Sequence, residues 1–420
     1  MNSEIEFYRE KEFKDTEIGR IPQEWKIRKL GDDDIALEIY RYPTYYNVEY
    51  VSNGVPEIRG ELIRENGELE TDLTKYRYIS YETSKRFPRT ILKEGDFVIS
   101  VRGTMGKIAV VPKLLEGSNI TANLMRISLN PSNCYPGFFK QVFLSQKFQK
   151  VLNLLSPQTT IKTIQAPRLK SIKLPLPPLQ EQKAIAKVLN NFDNLIETIN
   201  KQIKTFERIK KGLTKKYLTE GIFEHKEFKD TEIGRIPKEW EVVRLGDVLT
   251  LKNGERPSFA DNGTVPIYGA NGIMGFSSKF LVDNDFTIVI GRVGASGEIH
   301  LGRRKIWISD NAIYSEKYDN TKLYMPFIYY ALKLTELSRF ASKTTHPIIT
   351  QSFLNRFLIS LPPRKEQKAI ADRLKSVGAL IETKQEEKKH LERAKNKVME
   401  LLLSGKVRIK LKEGGLNYAC

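Results

Sequence analysis

Two glycine-rich turns carry the side chains best suited to chemistry. Gly95–Val111 reads GDFVISVRGTMGKIAVV, with Arg102 and Lys107 flanking a turn from Gly103 to Gly106. Asp283–Leu301 reads DNDFTIVIGRVGASGEIHL, in which Asp285-Phe286 matches Asp96-Phe97 and Arg292 stands near the turn. Glycine admits positive φ and bares the backbone, and a bare backbone beside a guanidinium can approach a phosphate. A plain hairpin needs the same glycines, so the turns by themselves favour the plain reading. Other polar groups recur nearby. Asn123 and Asn311 each sit beside a strand-like run, and the pairs Thr159-Thr160 and Thr344-Thr345 follow an amphipathic helix in each half. The stretch Gly60–Leu92 interleaves Arg64, Arg86 and Arg89 with tyrosines just after Arg59, which suits phosphates and base edges. Asn253–Leu281 is instead rich in Gly, Asn and Ser, with Arg256 inside it and Arg303 and Arg304 beyond it. Thr160, Lys343 and Thr345 complete the candidate nucleic-acid contacts.

Catalytic and metal signatures are missing. The four histidines are scattered, with no CxxC or HExxH spacing, so no metal site is expected. Neither turn spells GxGxxG or GxxxxGK[ST]. Only Cys134 and Cys420 occur among the cysteines, which suits a reducing cytoplasm. No apolar run reaches the ~18 residues of a membrane span, and no membrane partner is expected. With 69 Lys+Arg against 51 Asp+Glu the net charge is +18. That excess fits nucleic acid, an acidic partner protein or an anionic surface.

The elements that position these loops are two long helices. Leu176–Tyr217 follows Pro177-Pro178, which bar helix ahead of them. Its apolar residues Ile185, Leu189, Phe192, Ile196, Ile199, Ile203, Phe206 and Leu213 step by four and three, with Lys210 in one gap. A 3.5-residue period is a coiled-coil seam. Leu361–Leu402 repeats the text at an offset of 185 residues, from Leu176 to Leu361. Its seam is Ile370, Leu374, Val377, Ile381, Leu391, Val398 and Leu402, broken by Lys384 and Lys388 where the first helix has Ile199 and Ile203. A second repeat, EFKDTEIGRIPQEW at Glu12–Trp25, returns with one change at Glu227–Trp240. This strap reads as a charged segment ending in a tryptophan that fills a crevice.

The expected organisation is a strap at 1–29, a module at 30–175 and a helix at 176–220. A second strap at 221–244, module at 245–360 and helix at 361–410 follow, with a tail at 411–420. The fold class is α+β: two pseudo-symmetric α/β modules separated by a long antiparallel two-helix coiled coil. A shared frame with unlike contents points to two recognition specificities.

This order of elements resembles the specificity subunit of type I restriction-modification systems. The paired LPP…EQ-AIA helices, the IP-EW…LGD straps, the GDFVIS-RG turn and the GTVPIYGANGIMG segment carry the resemblance across essentially the whole chain. The resemblance implies that each module is a target-recognition domain reading half of a bipartite, asymmetric site in double-stranded DNA. It implies helices that fix the gap between the half-sites, and a subunit with no active site or cofactor of its own. It further implies two modification subunits that use S-adenosylmethionine to methylate adenine. Restriction subunits, two where present, would add ATP- and Mg-dependent translocation and cleavage. Two alternatives stay open at this point: a self-contained DNA-modifying enzyme, and a coiled-coil protein adaptor. No [DNS]PP[YFW] tetrapeptide of an amino-methyltransferase supports the first; the nearest, Asn130-Pro131-Ser132-Asn133, lacks the second proline and the aromatic.

Overall fold

Paired prolines start both long helices. In the computed structural model, which describes residues 5–42, 46–155, 163–341 and 348–411, the central helix runs Leu179–Thr219 and the distal helix Arg364–Leu403. Each carries a glutamate in its first turn, Glu181 and Glu366, where the helix dipole favours an anion. The distal helix stops at Leu403, short of the expected 410. Gly405 turns the chain there with φ of 70°, and a Cβ at this position would lie 2.3 Å from the Pro22 ring. Residues Val407–Leu411 leave as a strand, antiparallel to the first strand, Ile5–Arg9.

The chain forms two compact units, Met1–Ile199 with Glu387–Cys420, and Asn200–Glu386. Each unit therefore holds one half of each helix. In the first, Ile185 and Leu189 from the start of the central helix share a core with Met399 and Leu402 from the end of the distal one. In the second, Leu218 shares a core with Ile370 and Leu374. The helix halves thus run antiparallel within each unit. Every residue of the expected seam is buried or half-buried, including the charged interlopers Lys384 and Lys388.

Above the helices each unit repeats one antiparallel frame. In the first unit the strand order is Ile108–Val110, Phe97–Ser100, Leu124–Leu129, Ala36–Tyr40. In the second it is Ile299–Ile308, Val282–Gly291, Ala312–Tyr318, Leu249–Asn253. Phe97–Ser100 and Leu124–Leu129 are buried along their whole length because both faces of the sheet are covered. Phe97, Ile99, Met125 and Ile127 face the core beneath, with the Pro136–Leu144 helix, while Val98, Ala109 and Leu124 face a second core against Ile58 and Leu115. Period-two alternation does the same in the second unit, with Ile288 and Ile290 on one side and Val289 on the other. The additions differ. The first unit stacks a separate four-stranded sheet, while the second extends its frame with the hairpin Val265–Gly269 and Gly272–Ser277.

The straps lock each frame to a helix start. Trp25 and Trp240 are fully buried, and each indole Nε1 donates to the glutamate of a helix's first turn, Glu181 at 3.0 Å and Glu366 at 2.9 Å. The third member of the joint differs between units. In the first it is Arg408, bonded to Glu181, Glu24 and Glu10. In the second it is His225, 2.9 Å from Glu366 and 3.2 Å from Glu239, the strap counterpart of Glu24.

Arginine stays charged at any ordinary pH, and histidine does not. Burial opposes charge on His225, but hydrogen bonds and charges from Glu366 and Glu239 outweigh it and hold its pKa above 6.5. A raised folded-state pKa adds stability in full below the unfolded value and loses it as pH rises through the folded one. The melting transition of the second unit is therefore expected to fall as pH is raised from about 6 to 9. His225→Gln should remove that pH-dependent part. A histidine-independent slope, measured by differential scanning calorimetry across this range, would refute the assignment.

Candidate nucleic-acid interface

The same end of the frame gathers the polar loops in each unit. In the first unit the strand Phe97–Ser100 runs into the turn, where Gly103 and Gly106 take φ of 78° and 82°. Space around the Gly103 Cβ position is open. Val101 N–H donates to the carbonyl of Asn123 at 2.9 Å, and Thr121 N–H to that of Ile58 at 3.1 Å. These bonds bring the turn, the exposed Asn123 and the Arg59–Glu61 segment to one edge. Arg102 is exposed there and pairs backbone to backbone with Thr163.

Arg41 joins this edge. It follows the strand Ala36–Tyr40, whose Tyr40 lies opposite Arg126 in the ladder. Tyr40 and Tyr42 pack edge-to-face at 5.1 Å, which pins the segment. Burial, and then the like charge of Arg102, push the Arg41 guanidinium below its ordinary pKa, though it remains cationic. Two cations that feel each other's charge are each favoured by an anion beside them. Nothing in the local sequence marks Arg41, because its neighbour is 61 positions away, at 102.

The second unit builds the corresponding edge from other parts. Arg292 N–H donates to the carbonyl of Asn311 at 2.8 Å, and Gly297 N–H to that of Gly291 at 2.9 Å. The hairpin tip at Ala270 is held by His300 Nε2 at 3.1 Å, and Glu255 N–H bonds the Ile308 carbonyl at 2.9 Å. Arg256 follows Glu255 and is exposed.

The two arginines near the turns are not equivalent. Ile164 N–H reaches the Val101 carbonyl at 3.1 Å, and Ile349 N–H reaches that of Arg292 at 3.1 Å. Arg292 therefore occupies the place of Val101, and Arg102 that of Val293, which bridges to Ile348. Neighbouring positions on a strand point to opposite faces. Accordingly Arg102 is exposed, whereas Arg292 is half-buried.

Other candidates lie elsewhere. Arg64 forms an ion pair with Glu70 at 2.7 Å, beside a turn whose Gly67 packs on Leu144. Arg89 pairs with Glu38 at 2.7 Å and stacks on Tyr40 at 3.6 Å. Arg86 bonds the Asn47 carbonyl and the Thr83 hydroxyl. Arg303 lies over Phe286 and Arg304 pairs with Asp285, well along the strands from the second turn. Arg59 is tied to Glu61 and the Lys75 carbonyl, yet stays at the edge. Lys107 sits half-buried just past its turn. Thr160, Lys343 and Thr345 fall outside the described residues. Among the described residues no cluster of three or more His, Cys, Asp or Glu could hold a metal, and no helix is long and apolar enough to cross a membrane.

Comparison with known proteins gives a consistent picture. The family profile for the type I restriction modification DNA specificity domain matches twice, over residues 22–208 and 237–393. A Methanocaldococcus jannaschii protein named for the specificity subunit of type I restriction enzyme MjaX is 35% identical, over 97% of this chain and 99% of its own length. The MjaVIII specificity subunit of the same organism is 32% identical over 97% and 98%. The crystal structure of a type I restriction-modification S subunit from M. genitalium superposes with a TM-score of 0.58 at 17% identity, covering 90% of this chain and 96% of that one.

Proposed function

The chain belongs to the type I restriction modification DNA specificity family, and on that footing we propose that it reads a bipartite, asymmetric DNA site and directs partner subunits to act there. One observation supports this most: the same frame and the same Trp–Glu joint occur twice, while the loops at the frame's edge differ. A conserved support with two unlike reading edges suits a site whose halves have different sequences. The excess of positive charge supplies sequence-independent affinity by displacing counterions from the phosphates, so binding weakens steeply with salt. Bases are read by the few side chains at each edge.

In this reading the chain supplies address and geometry, and its partners supply chemistry. Two modification subunits carry S-adenosylmethionine and methylate adenine, and restriction subunits, two where present, use ATP and Mg. The compartment is the cytoplasm, where the DNA lies. The long helices set the gap between half-sites and offer outward faces to the modification subunits. Leu195, Ile209 and Leu380 are exposed on them.

The test is co-expression of the full chain with its modification subunit, followed by mapping of methylated adenines. A single bipartite motif that appears only when both proteins are present is the expected result. Methylation by the chain alone, or motif-independent methylation by the pair, would overturn the proposal.

A further inference from the structure

We propose that Asp193 is a positioning residue that fixes the angle of the first reading module on the helix pair, and that the second module lacks this lock. The inference rests on the function proposed above. Gln141 stands on the module's own helix, Pro136–Leu144, and is completely buried. Its side-chain amide donates to Asn190 Oδ1 at 3.0 Å and to Asp193 Oδ2 at 2.8 Å. The other oxygen of Asp193 accepts from Lys395 of the distal helix at 2.5 Å. One carboxylate thus ties together the module, the central helix and the distal helix. The ion pair is well shielded, with side chains 12% and 15% exposed, so it is directional and little screened.

Its position along the helix gives it leverage. The module has another polar attachment at Gln182, whose side chain bonds Tyr135 N–H at 2.9 Å and the Asn133 carbonyl at 2.8 Å. Gln182 and Asp193 are 11 residues apart, about 16 Å along a helix. One attachment permits pivoting about it, and two at that separation forbid it. Close van der Waals packing, where Gly137 approaches Ala186, fills the stretch between Gln182 and the Asn190–Asp193 attachment.

Among the described residues the second unit repeats the first attachment and omits the second. Gln367 bonds Tyr324 N–H at 2.8 Å and the Lys322 carbonyl at 3.0 Å, as Gln182 does. At the helix-repeat offset of 185, Lys395 corresponds to Lys210 and Asp193 to Gly378. The lysine is in place, with its Nζ 3.4 Å from where a Gly378 Cβ would stand, but the carboxylate is absent. Tyr324 and Tyr330 correspond to Tyr135 and Gln141, since both modules enter this helix at the residue bonded by the Gln. Among the described residues the further polar ties, Arg364 Nε to the Asn320 carbonyl at 2.7 Å and the Tyr324 hydroxyl to Asp372 at 3.2 Å, lie within five residues of Gln367. A module held by closely spaced ties retains more freedom to pivot.

The test uses the full chain assembled with its modification subunits. Methylation is measured on duplexes whose gap between half-sites is the native length or one base pair shorter or longer. Asp193→Asn and Lys395→Gln are expected to raise methylation at the altered gaps at least about tenfold relative to the native gap. Gly378→Asp is expected to lower it at those gaps. A uniform loss at all gaps, with the relative profile unchanged, would show a merely structural role and overturn the inference. An unchanged profile in variants with wild-type melting temperatures would overturn it equally. If the unmodified assembly methylates no bipartite site, the functional proposal itself fails, and that result is separate from any effect of the variants.

Discussion

Replacing Arg408 with methionine is expected to destabilise the first unit by about 3–5 kcal/mol, the cost of breaking a buried ion pair from one side. The guanidinium spends all its geometry on three carboxylates. Nε and Nη2 grip the two oxygens of Glu181 at 3.0 and 2.9 Å, Nη2 also reaches Glu24 at 2.7 Å, and Nη1 reaches Glu10 at 2.8 Å. Burial works against the charge on Arg408, but the Glu181, Glu10 and Glu24 bonds outweigh it and raise its pKa. Glu181 and Glu10 are 6% and 10% exposed at the side chain, so neither could recover full hydration once the cation left. Glu24, at 69%, could swing into water and contributes little to the cost. Denaturant unfolding should show a lower midpoint for the transition that includes Trp25, followed by tryptophan fluorescence. Adding Glu10→Gln and Glu181→Gln to Arg408→Met should restore most of the loss, because both partners of the pair are then neutral. A loss that persists in the triple variant would mean that the arginine acts through packing on the Tyr8 ring, 5.9 Å away, and not through charge.

Arg102→Ala is expected to weaken recognition of one half-site by about 1–3 kcal/mol, the range for one good side-chain contact to a base, and to spare the other half-site. Arg102 is exposed at the open side of the turn, and among the described residues no carboxylate forms an ion pair with it, unlike Arg64 and Arg89. Arg41→Ala should act on the same half-site, with the double variant less than additive because the two cations feel each other's charge. Competition binding by the assembled complex, with duplexes altered in one half or the other, separates the cases. If the pair grips a phosphate, the salt dependence loses about one unit of slope and base preference is kept. If it reads a base, preference relaxes at one position. Arg292→Ala should have a smaller effect on its own half-site, since that arginine is half-buried and one strand position out of register with Arg102. Equal losses at both half-sites, or a matched fall in melting temperature, would refute the assignment.

Partners determine what each arginine does. Of the basic residues chosen by type and loop position, Arg102 and Arg256 lie exposed at the reading edges, whereas Arg64, Arg89 and Arg304 are neutralised by Glu70, Glu38 and Asp285. A sequence window cannot show this for Arg89, whose carboxylate is at position 38 in another strand. Arg41 has no local signature for the complementary reason: the like charge it feels, that of Arg102, comes from another strand.

The sequence by itself determined whatever repeats along the chain. A 3.5-residue period placed Ile185, Leu189, Ile370 and Leu374 on one face of their helices, and all four are completely buried. The duplicated straps located two tryptophans, and the duplicated Glu-Gln after each Pro-Pro located the helix starts to which they are joined. Such patterns are legible because a helix or strand presents its own residues at fixed intervals, whatever surrounds it. Tertiary structure alone decided the pairings that join distant text. It filled equivalent joints with Arg408 in one unit and His225 in the other, each from the segment after a long helix. It also set Arg292 one position before Arg102, at the place of Val101, where counting from Phe286 and Phe97 puts it one position beyond, because the second strand runs two residues longer from Phe286 to Gly291 than the first from Phe97 to Ser100. Neither outcome has a local signature, since both depend on which backbone groups meet after the chain has folded back on itself.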